Sequence, residues 1–139
     1  MTNAANFNDY SGDEVFGRDN RILYVEDDPD SRELIVMLLK SEGYDVTAVE
    51  QSADVIPLAR NERFDLFLLD NWMPELSGVE LSRTLRDFNQ TTPILFYSAA
   101  AYKADIQEAH DSGANGYLTK PSGVSELTQE IARLIAQSR

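Results

Sequence analysis

Residues 22–29 read ILYVEDDP, four apolar positions that run directly into three acids and a proline. An apolar run without polar alternation is the mark of a strand covered on both faces, and the acids then stand at its carboxyl end. Asp28 followed by Pro29 suits a helix N-cap with proline in the first turn. Leu34, Leu38 and Leu39 continue as an apolar stripe, and Gly43 suits a C-terminal stop. One strand, one acidic loop and one helix are therefore legible in a single short stretch.

The same alternation recurs to the end of the chain. Further apolar runs occupy residues 44–49 (the weakest, alternating), 66–69, 94–97 and 117–119. Between them, Ser77 with Glu80 matches a capping box ahead of Leu81, Leu85 and Phe88. A helical stretch near 102–112 ends at Gly113, and the last helix runs from about Ser125 with Leu127, Ile131, Leu134 and Ile135 inward. The second helix, near 52–61, contains Pro57, which removes a backbone donor and predicts a late start, a kink or a short helix. Repeated strand–helix units joined by short right-handed crossovers predict an α/β fold, a doubly wound parallel sheet with helices on both faces. Residues 21–139 form that domain. Residues 1–20, rich in Asn, Asp, Gly and Ser and without periodicity, read as a polar N-terminal tail, with Phe7, Tyr10, Val15 and Phe16 as its apolar groups.

Length and charge narrow the function. A chain of 139 residues builds one core, and 12 Lys and Arg against 24 Asp and Glu leave a net charge of −12. Such a surface repels phosphate backbones and anionic membranes, so neither nucleic acid nor membrane is expected as a partner. The absence of cysteine excludes disulfides, thiolate catalysis and Cys-ligated zinc. The single His110 reads as a surface helix residue. No apolar run approaches the roughly 20 residues of a membrane span, and no signal peptide begins the chain, so a soluble, cytoplasmic protein is the expectation.

In an open parallel sheet the functional crevice lies at the carboxyl ends of the strands. There the first strand ends in Glu26, Asp27 and Asp28, the third in Asp70, the fourth in Ser98, and the fifth in Lys120 followed by Pro121. Asp28 is read as the helix cap. Two carboxylates about 4 Å apart repel by roughly 4 kcal/mol at an effective dielectric near 20, so a converging set needs positive charge. Lys120 supplies one cation, and hard oxygen ligands from Asp27 and Asp70 suit Mg²⁺. Metal and lysine together turn the pocket into one that accepts a phosphoryl group. Asp70, already ionised at neutral pH, is the natural nucleophile, with Lys120 balancing charge and the Ser98 hydroxyl donating a hydrogen bond. Trp72 is a bulky aromatic that partly roofs the site.

Four segments then carry a resemblance: ILYVEDD (22–28), LLDNWMPELSGVEL (68–81), PILFYSA (93–99) and GANGYLTKP (113–121). Together they resemble the receiver domain of two-component response regulators over residues 21–139. The resemblance implies a flavodoxin-like three-layer sandwich with five strands in the order 2-1-3-4-5. It implies Mg²⁺-dependent phosphorylation of an aspartate by a histidine kinase or histidine phosphotransfer protein, in a signalling domain that is not an enzyme beyond slow self-dephosphorylation. Carried across, Glu26 and Asp27 match the acidic pair, with Asp27 a direct metal ligand and Glu26 acting through water. Asp70 matches the phosphoacceptor, the main chain of Trp72 a further metal ligand, Ser98 the hydroxyl, Lys120 the lysine, Tyr117 the aromatic switch, and Pro121 a cis peptide. Glu26 stands where Asp is commoner, Ser98 where Thr is, and Ser122 where an aromatic is usual.

The expected output is a protein-binding face on helix four, strand five and helix five, around Tyr102, Tyr117 and Leu118. Phosphorylation draws Ser98 toward the site and lets Tyr117 rotate inward. The chain reads as a stand-alone or excised receiver. A phosphatase with an aspartyl-phosphate intermediate needs a second Asp where Trp72 stands, and a nucleotide module needs a Gly-rich loop where EDDPD stands. The remaining alternative is a receiver-like interaction module that works without phosphorylation.

Overall fold

The computed structural model describes residues 20–139. The tail expected at 1–20, with Phe7, Tyr10, Val15 and Phe16, lies outside the described residues apart from Asn20. Ten elements alternate along the chain: β1 (Arg21–Val25), α1 (Pro29–Ser41), β2 (Asp45–Val49), α2 (Ser52–Asn61), β3 (Leu66–Leu69), α3 (Gly78–Phe88), β4 (Ile94–Ser98), α4 (Lys103–Asp111), β5 (Gly116–Thr119) and α5 (Val124–Gln137). The strands form one sheet in the order β2-β1-β3-β4-β5. Every pairing is parallel.

The sheet divides the core in two. Leu23, Val25, Phe67, Leu69, Ile94 and Phe96 pack on one face against α2, α3 and α4. Ile22, Tyr24, Leu66, Leu68 and Leu95 pack on the other against α1 and α5. Because side chains alternate across a strand, continuous apolar runs are what a sheet with two covered faces requires. β3 is buried at all four positions, whereas the edge strand β2 is half-buried along most of its length, which explains its weaker, alternating pattern.

Helix punctuation follows the sequence closely. Asp28 caps α1 by accepting the Ser31 amide at 2.9 Å, and Gly43 takes a left-handed φ of 95° in the turn beyond α1. Ser77 accepts the Glu80 amide at 3.1 Å while the Glu80 carboxylate accepts the Ser77 amide at 3.0 Å, a reciprocal cap for α3. α2 departs from one of the expectations set by Pro57. It does not start late, but begins at Ser52 and continues through Pro57 to Asn61. Proline removes one helical hydrogen bond, yet Val55 and Ala59 are buried against the sheet, and that packing holds the helix together. Arg86 then ties the loops at the amino end of the sheet, donating to the carbonyls of Gly113 (3.0 Å), Asn89 (2.9 Å) and Thr92 (2.8 Å) and to Asn115 Oδ1 (2.9 Å).

Candidate functional site

Tyr24 pairs with Leu68 in the β1–β3 register, so two residues further on Glu26 and Asp70 leave the sheet level with one another. One carboxylate oxygen from each of Glu26, Asp27 and Asp70 lies within 4.8 Å of the others. Glu26 is 3% and Asp70 7% exposed, while Asp27 is open to solvent. Lys120 enters from the end of β5, where its backbone amide donates to the Ser98 carbonyl at 2.8 Å and the Lys120–Pro121 peptide is cis. Its ammonium nitrogen donates to Glu26 Oε1 at 2.7 Å and lies 3.4 Å from Asp70 Oδ2. The same ammonium stands 5.3 Å from the centre of the Tyr97 ring. Burial alone would lower the Lys120 pKa, but the hydrogen bond it donates to Glu26 and the charges of Asp70 and Glu26 outweigh it, so the pKa is raised.

Backbone amides complete the cluster. The Asp28 amide donates to Glu26 Oε2 at 3.2 Å, and the Trp72 amide to Asp70 Oδ1 at 3.1 Å. Arg32, the nearest further cation, donates instead to the Glu26 carbonyl at 2.8 Å. The Asp27 carboxylate has no hydrogen bond or ion pair among the described residues. Glu26 and Asp70 thus share one ammonium while Asp27 stands beside them unpaired, and the surplus negative charge sits on hard oxygens. That donor set fits a divalent cation of the Mg²⁺ type.

The loop after Asp70 is held by close packing. A Cβ on Gly78 would lie 2.4 Å from the Asp70 carbonyl oxygen and 2.8 Å from Asn71 Cα, so only glycine lets α3 start against this loop. The Gly78 amide donates to the Asn71 carbonyl at 3.2 Å. The Trp72 indole is 60% exposed beside the cluster.

Ser98 is fully buried, and its hydroxyl oxygen accepts the Ala100 amide at 3.2 Å. Tyr117 stacks on Phe96 with ring centres 5.5 Å apart and planes 6° from parallel, and its hydroxyl donates to the Ala100 carbonyl at 2.5 Å. Burial pushes the Tyr117 phenol up, opposed by hydrogen bonding to the Ser98 and Asn71 side chains. The ring lies against the β4 side of the sheet, stacked on Phe96 and tied to the Ala100 carbonyl. Stacking and the Ala100 bond hold it there. On the same flank Tyr102 is 79% exposed, and Leu118 packs partly against the α1 and α5 side of the core. His110 lies on the exposed face of α4, its Nδ1 3.3 Å from the Ala114 carbonyl.

Sequence reading passed over three residues. Gly78 follows a capping serine, where the helix itself asks for no glycine, and that is a usable signal. Asn71 gives none, because its burial at 8% depends on the loop path. Tyr24 is a hydroxyl inside an otherwise apolar strand, and it lies 1% exposed beneath the cluster, on the α1 and α5 side of the sheet.

The family model for the response regulator receiver domain matches residues 22–132. The chain belongs to that family. This receiver is 36% identical over 126 residues to a probable transcriptional regulatory protein of Picosynechococcus, a match covering 86% of the chain and 50% of that protein. It spans about half the length of the curated relatives it matches. Among solved structures it is similar to the receiver domain of the Francisella response regulator 1452, with a TM-score of 0.82 and 27% identity over 87% of this chain and all of that one. It is also similar to the receiver domain of the sensor histidine kinase PA1611 from Pseudomonas aeruginosa, a structure with magnesium coordinated in its active-site cleft. That match has a TM-score of 0.79 and 32% identity over 85% of this chain and 98% of the other. The receiver is a signalling domain of two-component systems, and no described helix is long and apolar enough to cross a membrane.

Proposed function

We propose that this receiver accepts a phosphoryl group on Asp70 from a histidine kinase or histidine phosphotransfer protein in the cytoplasm. The observation that carries this reading is the convergence of Glu26, Asp27 and Asp70, with Lys120 paired to the first and last of them. An Asp70 carboxylate oxygen attacks phosphorus; the new O–P bond forms as the P–N bond to the donor imidazole breaks, and the electron pair leaves with the imidazole nitrogen. Lys120 balances charge on the phosphoryl oxygens. The Ser98 oxygen accepts the Ala100 amide, and its own proton would be donated to a phosphoryl oxygen. Asp27, Asp70 and the Trp72 carbonyl would hold Mg²⁺ directly, with Glu26 acting through water. When bound, Mg²⁺ would neutralise the carboxylates and the transferring phosphoryl oxygens.

The domain is a phosphoacceptor with at most slow self-dephosphorylation rather than an enzyme. Its output is a downstream protein that reads the face of α4, β5 and α5 around Tyr102, Tyr117 and Leu118. Intact-mass spectrometry after incubation with acetyl phosphate tests the chemistry. The expected result is a gain of one phosphoryl mass with Mg²⁺, and none with chelator or in Asp70→Asn. Equal gain in Asp70→Asn overturns the assignment, and no gain in the parent leaves the phosphorylation-independent interaction module as the reading.

A further inference from the structure

Of the buried side-chain polar atoms among the described residues, one lacks a hydrogen-bond partner: the Tyr24 hydroxyl. Tyr24 is 1% exposed, packed under α1 and α5 with Ile22, Ile35, Leu39 and Leu68. A phenylalanine would supply the same ring, and an unpaired buried hydroxyl costs stability, so its presence calls for a state in which it is used. Tyr24 stands two residues before Glu26, whose amide carries the ladder one residue past β1 by donating to the Val49 carbonyl at 3.1 Å, so strand alternation puts both on one face of the sheet.

We propose that Tyr24 is a positioning residue for the phosphorylated site: its hydroxyl takes over as donor to the Glu26 carboxylate when Lys120 is drawn to the phosphoryl group. The inference rests on Asp70 being the phosphoacceptor. Lys120 divides one ammonium between Glu26 at 2.7 Å and Asp70 at 3.4 Å. A phosphoryl group on Asp70 concentrates negative charge on the far side of that ammonium and pulls it away from Glu26. Glu26, 3% exposed, then keeps the Asp28 amide at 3.2 Å and the water it would share with Mg²⁺, and a buried carboxylate that has lost its charged side-chain donor is destabilised. Arg32 directs its Nη1 to the Glu26 and Asp27 carbonyls and makes no bond to the Glu26 carboxylate. The Tyr24 hydroxyl is the uncommitted donor on the right face of the right strand. It reaches the carboxylate through an intervening water wherever the gap requires one.

Calorimetric titration of the whole chain tests this, using Mg²⁺ alone and then beryllofluoride with saturating Mg²⁺ as the phosphoryl mimic. Tyr24→Phe should melt no lower than the parent and bind Mg²⁺ alone with the same affinity. It should bind beryllofluoride roughly 3- to 10-fold more weakly, the range expected for one hydrogen bond to a charged group. In a Glu26→Gln background, adding Tyr24→Phe should cost no further affinity, because the hydroxyl acts through the Glu26 charge. Equal beryllofluoride affinity in Tyr24→Phe overturns the proposal, as does an equal loss for Mg²⁺ alone or a loss that persists beside Glu26→Gln. A parent that binds no beryllofluoride in the presence of Mg²⁺ removes the Asp70 reading, and this proposal with it.

Discussion

The two ends of the sheet handle the same excess of acid in opposite ways. At the amino end, Arg21 meets Asp45 at 3.4 Å and Glu62 at 2.8 Å, and Arg139 lies 3.5 Å from Asp65. Each of those carboxylates has an arginine beside it. At the carboxyl end, Glu26 and Asp70 share Lys120, and Asp27 pairs with nothing among the described residues. Both ends are built from similar residues at similar spacing, so composition alone does not separate them. What separates them is whether charge is cancelled inside the fold or left for a ligand to cancel, and the uncancelled end is where chemistry is to be sought.

The strongest way to break this contrast is to disturb the backbone at each end. Gly78→Ala would drive a methyl into the Asp70 carbonyl and Asn71 Cα, whereas Gly43, in the turn between α1 and β2, has open space around its Cβ direction and only its φ of 95° to protect. Gly78→Ala should lower unfolding free energy by about 3 kcal/mol or more and damage Mg²⁺ binding with it. Gly43→Ala should lose about 1–2 kcal/mol and leave Mg²⁺ binding intact. Urea unfolding and metal titration of both variants check this, and equal effects at the two positions would erase the distinction.

Single carboxylates sharpen it further. Asp27→Ala should weaken Mg²⁺ binding about tenfold or more while leaving metal-free stability unchanged or improved, since it relieves repulsion. Asp45→Ala should do the reverse, with Mg²⁺ binding unaltered and a stability loss below about 1 kcal/mol, as for any exposed ion pair. Titration followed by thermal melts with and without metal measures both.

The smallest effect is in alkali. The Lys120 pKa is raised above its ordinary 10.5 in the folded protein, so its pairing contributes stability below that value. The contribution is lost as pH climbs through the raised folded value. Arg21, held higher still by Glu62, stays charged throughout, so the amino end should not weaken over the same range. Unfolding midpoints followed into the alkaline range should fall for the parent and flatten in Lys120→Met.

How much of this was legible beforehand depends on what each feature rests on. Strands β1, β3 and β4 were plain because two covered faces demand unbroken apolar runs, and α1 and α3 because Asp28 and Ser77 announce their caps. Glu26, Asp27, Asp70, Ser98 and Lys120 were legible as strand-end residues of one chemical set. The continuous course of α2 through Pro57 was not, since it depends on how Val55 and Ala59 pack. Nor was the setting of the Tyr117 ring, which is decided by Phe96 and the Ala100 carbonyl, neither of which its own neighbourhood in sequence predicts. Gly78 and Tyr24 matter through atoms brought close only by the fold.

The strand order also bears on how the chain is made. β1 and β3 sit side by side at the centre of the sheet, yet the lysine that balances their acids arrives on β5, the last of the five strands to be synthesised. A nascent chain that has emerged only as far as β4 brings Glu26, Asp27 and Asp70 together with no counter-ion of its own. The acids at that end are therefore balanced from within the chain only once β5 and its Lys120 have been made.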